Sequence, residues 1–278
     1  MRRRSFSNSM TVAELRYIQS VHETGELQNP DTFVRHFLPA LRRWYCARLG
    51  QSKLATLRSK PFYSFLVART KYYDELFLDA ISDKVQHIIN VGCGNDTRAY
   101  RFEHLLKQHG VKVLECDQSE AISDKQRIAK RRGTFDHVTY VSIDLNDDVW
   151  PDIEQWLDKN NGTSKLVLME GVSPYINVET FGRFLSFLAR GLPIGSRVAY
   201  DFKLRGAADD FGLGGRTQRP FRLSTVMEEV FSYHEKLGYR IDHMERSSEL
   251  STRLLTGLAK SGVPFFTEDG LIQLKVVR

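Results

Sequence analysis

The segment His87-Ile88-Ile89-Asn90-Val91 runs straight into Gly92-Cys93-Gly94. Glycines at the end of an apolar strand let backbone N–H groups approach a ligand with no Cβ in the way, so a nucleotide-type ligand could rest here. An ordinary tight strand-to-helix turn would use the same residues. The sixth position counted from Gly92 narrows the choice of ligand. A dinucleotide fingerprint needs a third glycine there to bring helix and strand together around a pyrophosphate, and this chain has Thr97. A ligand without a pyrophosphate suits the shorter turn better.

Three later apolar runs each finish in a carboxylate. Leu114-Glu115-Cys116-Asp117 sets an acid 23 positions after Gly94. Asp117 suits either a helix N-cap or a bidentate acceptor for two ribose hydroxyls, and the preceding glycine turn favours the second. Ser142-Ile143-Asp144-Leu145 sets Asp144 where an adenine amino group could be met and Leu145 where its ring could be packed, although Asn146-Asp147-Asp148 follows as in an ordinary turn. Leu166-Val167-Leu168-Met169 ends in Glu170. In open α/β sheets ligands lie beyond the carboxyl ends of the strands, so Glu170 is either a surface acid or the partner of an ammonium or sulfonium group. A nucleoside joined to an amino acid, as in S-adenosyl-L-methionine, would use all of these positions.

Positioning such residues requires a sheet. Apolar runs at His87 to Val91, Val111 to Cys116, His137 to Ile143, Lys165 to Glu170, Arg197 to Phe202, Tyr239 to Met244 and Leu271 to Val277 predict seven strands. Helical patterns lie between most of them: Asp96 to His109, Glu120 to Arg132, Val149 to Asn160, Val178 to Arg190 and Leu223 to Leu237. The alternation predicts an α/β fold with a mostly parallel sheet. The last link carries no assured crossover helix, so one strand at or near the edge should run antiparallel. Before the sheet, Val12 to Val21, Pro30 to Leu49 and Pro61 to Ile81 read as helices. Asn29 is the N-cap expected for the second, with Phe33, Phe37, Leu38 and Leu41 on its inner face. Residues 1–84 thus form an expected helical cap and 85–278 an expected ligand-binding core, with Leu204 to Pro220 a loop or insertion near the ligand.

Composition sets the outer limits. The 278 residues are 41% hydrophobic and 27% charged, enough for a full-sized core. The net charge of +6 includes three arginines at positions 2–4, and the basic run Lys125 to Arg132 suits a solvated helix face, so no nucleic-acid partner is expected. Cys46, Cys93 and Cys116 show no CxxC pairing, and the eight histidines no HxxxH or HExxH spacing, which points to a reducing compartment and to no metal. No run approaches a membrane span or a signal peptide, so a cytoplasmic protein without a membrane partner is expected.

The chain resembles the leucine carboxyl methyltransferase family, including its bacterial branch of small-molecule O-methyltransferases. The resemblance lies in Arg69-Thr70-Lys71-Tyr72-Tyr73-Asp74, the run Asn90-Val91-Gly92-Cys93-Gly94-Asn95-Asp96-Thr97-Arg98-Ala99-Tyr100-Arg101, Glu115-Cys116-Asp117-Gln118, Asp144-Leu145 and Glu170-Gly171-Val172-Ser173-Pro174-Tyr175. It implies a Rossmann-like class I methyltransferase fold with S-adenosyl-L-methionine as cofactor. By the resemblance Arg69 would hold the cofactor's carboxylate, Gly92 and Gly94 would underlie its methionine portion, and Asp117, with Gln118 beside it, would bind ribose. Asp144 with Leu145 would frame adenine, and Glu170 would meet the amino-acid end. Asn95, Ser173 and Pro174 depart from the residues often found at these places, which bears on the acceptor pocket.

The expected reaction is methylation of a carboxyl or hydroxyl group on a small molecule such as a polyketide or peptide natural product. The alternatives are a C-terminal carboxylate of a partner protein, or a non-catalytic nucleotide-type binding module. Tyr175 and Tyr200, with Asp201 and Arg205, are candidates to orient the acceptor or act as base. For each, packing or a loop ion pair is an equal reading. Oligomeric state is left open.

Overall fold

The computed structural model describes residues 2–206, 220–259 and 264–278. Among these, seven strands are β1 His87–Val91, β2 Lys112–Asp117, β3 Val138–Ser142, β4 Lys165–Met169, β5 Arg197–Lys203, β6 Tyr239–Arg246 and β7 Asp269–Val276. They form a sheet in the order β3-β2-β1-β4-β5-β7-β6. The first five strands pair in parallel, while β7 runs antiparallel to both β5 and β6. The reversed strand therefore sits one place in from the edge. This is the Rossmann-like arrangement that the resemblance implied. Neighbouring antiparallel strands need no crossover helix, and the β6–β7 link accordingly holds only α10 (Ser247–Leu254) and α11 (Thr256–Ala259) within the described residues.

Both faces of the sheet are covered, which explains why the parallel strands read as continuous apolar runs. Val167 and Met169 point into a layer completed by α7 (Pro151–Lys159), α8 (Val178–Gly191) and α9 (Met227–Lys236). Leu166 and Leu168, one step out of phase, enter the opposite layer with α3 (Pro61–Ser82) and α5 (Glu103–His109). α3 begins on Pro61 at its first turn and is buried without a break from Tyr63 to Thr70. A helix that is apolar on most sides is one packed from several directions, here by the sheet and by α1 (Arg2–His22).

Two helical expectations need correction. Pro30 to Leu49 is not one helix: Pro39 lacks an N–H and its ring would strike the preceding turn, so the chain makes a short 3-10 turn at Phe33–His36 and starts α2 (Ala40–Arg58) after it. Asn29 accordingly caps no α-helix, and its Oδ1 accepts from the Asp31 N–H at 3.0 Å. Phe37 and Leu38 are buried as expected, but Leu41 is 76% exposed because the break rotates it outward. The segment Asp96 to His109 divides into α4 (Arg98–Arg101) and α5, and Glu120 to Arg132 is α6 (Ser119–Lys130). Most of the expected loop Leu204 to Pro220 lies outside the described residues. Among those described, no helix is long and apolar enough to cross a membrane.

Candidate functional site

Because β3, β2, β1, β4 and β5 are parallel neighbours, their carboxyl ends form one rim, and the strand order reverses between β1 and β4, where open sheets hold ligands. Along that rim stand, in spatial order, Asp144, Asp117, the glycine turn, Glu170 and Asp201. Three inter-strand spacings separate β3 from β4, roughly 14 Å, room for a nucleoside with an amino-acid tail. Asp117 Oδ2 accepts from the Gly94 N–H and its Oδ1 from the Gln118 N–H, both at 2.7 Å. Burial pushes the Asp117 carboxyl above its ordinary range, and these two N–H groups pull it back in part. Gly92 has φ +68°, and a Cβ there would come within 2.5 Å of Val172 Cγ2, so the turn requires glycine. Beneath it the Lys125 ammonium donates to the Cys93 carbonyl at 3.3 Å and pairs with Glu115 at 2.7 Å, so Lys125 is a buried pillar and not part of a solvated helix face as expected.

On the Asp144 side a cavity of about 330 Å³ opens between the β2 and β3 ends, lined by Gln118, Ser119, Ile143, Asp144, Val149 and Trp150. Asp144 Oδ1 accepts from the Asn146 N–H and side-chain amide, so the turn chemistry and the site position hold together. Trp150 donates its indole N–H to the Asp144 carbonyl at 3.1 Å, and Val149 is exposed at the mouth. Neither residue was foreseen; a tryptophan just before Pro151 at the start of α7 is the signal that points to them. Leu145 is half-buried and packs against the core layer that holds α7 and α8.

On the other side lies a connected chain of buried ions. Arg69, on α3, reaches Glu170 Oε1 with Nε at 3.1 Å and Asp201 Oδ2 with Nη1 at 3.4 Å. Its guanidinium lies against Gly171, whose φ is +70° and whose Cβ, if present, would be 3.6 Å from Nη1. Arg98 pairs with Glu170 Oε2, Asp96 and Asp74, and Arg101 binds Asp74 through both terminal nitrogens. Arg101 also approaches Asp31 at 3.8 Å, and Asp31 holds Arg16 at 2.9 Å and accepts from the Thr97 hydroxyl at 2.6 Å. Asp96, Thr97 and Arg98 thus tie the N-terminal helices to the strand ends. Burial would raise the Glu170 carboxyl, but Arg98 and Arg69 more than offset it and hold Glu170 below the usual range. For Asp201 burial prevails over Arg69 and the Gly171 N–H, and the carboxyl is raised. Four arginines meet five carboxylates in this chain, leaving one negative charge when all are ionised.

Tyr175 follows Glu170 on a short 3-10 turn, is half-buried and lies close enough to act electrostatically on Arg69. Tyr200 is not brought to the rim. Successive residues of β5 face opposite ways, so Asp201 faces Arg69 while Tyr200 is fully buried against Phe181 and Phe221, its hydroxyl 2.6 Å from His234 Nε2. Arg205 is exposed and pairs with Glu229 at 3.2 Å.

Residues 9–189 match the family model of leucine carboxyl methyltransferase. The chain belongs to that family. A relative in Mycobacterium tuberculosis, named for S-adenosyl-L-methionine-dependent methyl transfer, is 30% identical over 219 residues, covering 74% of this chain and 66% of its own length. This chain thus spans just under two thirds of that relative. A Streptomyces avermitilis relative with the same kind of name is 23% identical over 211 residues, 74% of this chain and 72% of the relative. Among solved structures, the magnesium protoporphyrin IX methyltransferase of Synechocystis, with bound SAH, is 14% identical with a TM-score of 0.47, covering 85% of this chain and 98% of that one.

Proposed function

We propose that the chain transfers a methyl group from S-adenosyl-L-methionine to a carboxyl or hydroxyl oxygen of a small molecule. The observation that carries the reading is the rim itself: Asp144, Asp117, Glu170 and Arg69 stand in the order in which one elongated ligand would present adenine, ribose, ammonium and carboxylate. The donor set fits. Each Asp117 oxygen accepts one backbone N–H and retains a lone pair for a ribose hydroxyl. Gln118, Asp144 and Trp150 line one slot, which has room for a ring. Arg69 spends Nε and Nη1 on carboxylates, which leaves Nη2, against Gly171, for a further one. The ion chain's single negative charge complements a ligand carrying an ammonium, a sulfonium and a carboxylate, which sum to one positive charge.

The cofactor supplies a methyl group made electrophilic by its sulfonium. The chain's own contribution is placement: Gly92 and Gly94 open the backbone, Glu170 and Arg69 fix the amino-acid end, and the rigid ion chain keeps both from moving. Tyr175, next to that end, orients the acceptor oxygen in line with the methyl group. A carboxylate acceptor is already nucleophilic at neutral pH and needs no base, whereas a hydroxyl would draw on Tyr175 or Asp201. The test is transfer of labelled methyl to small carboxylic acids and phenols. Base-labile label marks an ester and base-stable label an ether, while label appearing only on protein C-termini would overturn the small-molecule reading.

A further inference from the structure

Helix α2 turns a basic, partly apolar face outward. Leu41, Trp44, Tyr45 and Arg48 recur at the helical spacing i, i+3, i+4, i+7, and the first three are 76%, 56% and 40% exposed. The opposite face is fixed to α1. Cys46 is buried with its carbonyl 2.8 Å from His22 Nε2, and a Cβ on Gly50 would come within 2.9 Å of His22 and 3.1 Å of Ile18. Such close helix contact prevents the stripe from turning inward. The charge here is one-sided: residues 32–73 contain no Asp or Glu, while Arg35, Arg42, Arg43, Arg48, Lys53, Arg58 and Lys60 fall within 26 of them. Glu14 of α1 and Glu23, just past its end, neutralise Arg42 and Arg58. Arg48 remains on the stripe, with Lys53 at its edge over the Tyr45 ring at 4.8 Å.

We propose that α2 docks this protein on an anionic lipid surface, with Leu41 and Trp44 entering the boundary between headgroups and acyl chains, Tyr45 at headgroup level, and Arg48 and Lys53 against lipid phosphates. Trp and Tyr beside basic residues on one helix face is the chemistry of that interface, and it needs no spanning helix. A second copy would bring the same positive faces together. The proposal departs from the expectation of no membrane partner and is independent of the methyl-transfer reading.

The test is cosedimentation of the full chain with phosphatidylcholine vesicles, with and without phosphatidylglycerol, at low and high salt. The wild type should bind the anionic vesicles at least about tenfold more tightly, less so at high salt. Combined Leu41→Ser, Trp44→Ser and Tyr45→Ser should abolish binding, and Arg48→Glu should weaken it about tenfold or more. Thermal midpoints and cofactor binding should stay at wild-type values, because the positions are exposed. If the triple variant unfolds, Arg48→Glu alone decides. No binding to anionic vesicles at low salt, Arg48→Glu binding as well as wild type, or capture by heparin but by no vesicle would overturn the proposal.

Discussion

Arg98 Nη1 donates to Glu170 Oε2 at 2.8 Å, joining residues 72 apart in sequence. The first turn after the glycine-rich segment is thereby locked to the end of β4. The same guanidinium serves Asp74, Asp96 and the Thr70 carbonyl, so a fully buried cation is satisfied from three directions.

Removing that cation leaves three carboxylates without their shared partner. Arg98→Ala should therefore destabilise the fold by about 3–5 kcal/mol. Arg98→Lys, which keeps the charge but loses the fork, should recover only part of it. Urea denaturation of the two variants beside wild type measures both effects.

The turn gives a second outcome. Gly92→Ala faces both a left-handed backbone and the Val172 methyl group, and should cost about 1–3 kcal/mol while weakening cofactor binding. At Gly94 the obstructing atom is the Ser9 hydroxyl at 2.6 Å, the end of a short side chain. Adding Ser9→Ala should consequently relieve part of the defect of Gly94→Ala but none of that of Gly92→Ala, as read from thermal midpoints.

A third outcome concerns pH. Burial pulls the His234 imidazole from its ordinary 6.5 to about 4, against a smaller opposing pull from the Val230 carbonyl. The ring is neutral when folded. As pH falls below 6.5 the unfolded chain takes up a proton first, so this contribution is complete above 6.5 and fades towards 4. It amounts to about 3 kcal/mol at most. His234→Phe should flatten the dependence of stability on pH across that window; an unchanged slope there would assign it to other groups.

A fourth outcome separates cofactor from product. Glu170→Gln removes one negative charge from the ion chain, so it should weaken binding of the positively charged S-adenosyl-L-methionine more than that of its demethylated, neutral counterpart. Parallel titrations with the two ligands compare the losses directly.

Much of this was legible in the sequence, for reasons that differ from residue to residue. The strands stood out because a parallel sheet covered on both faces reads as apolar runs between turns, and Asp117, Asp144 and Glu170 stood out because acids end those runs. Tyr200 was not legible for the same reason: in a strand buried on both sides, alternation does not show which face a residue takes, and only packing set Asp201 towards Arg69. Lys125 was expected on a solvated helix face, since its burial depends on Glu115 of the separate strand β2, and the partners that bury Arg98 reach 72 residues away, where no local pattern shows them. The break before α2 was written at Pro39, and with it the outward face of Leu41.

If the strand-end carboxylates hold S-adenosyl-L-methionine, calorimetric titration of wild type and Asp117→Ala with that ligand will separate the two proteins. The wild type should bind it saturably at one site and bind no NAD, and the substitution should lose about tenfold or more, since charge-assisted hydrogen bonds contribute about 1.5–3 kcal/mol. No binding at millimolar ligand, or equal affinity in wild type and Asp117→Ala, would contradict that role of the carboxylates.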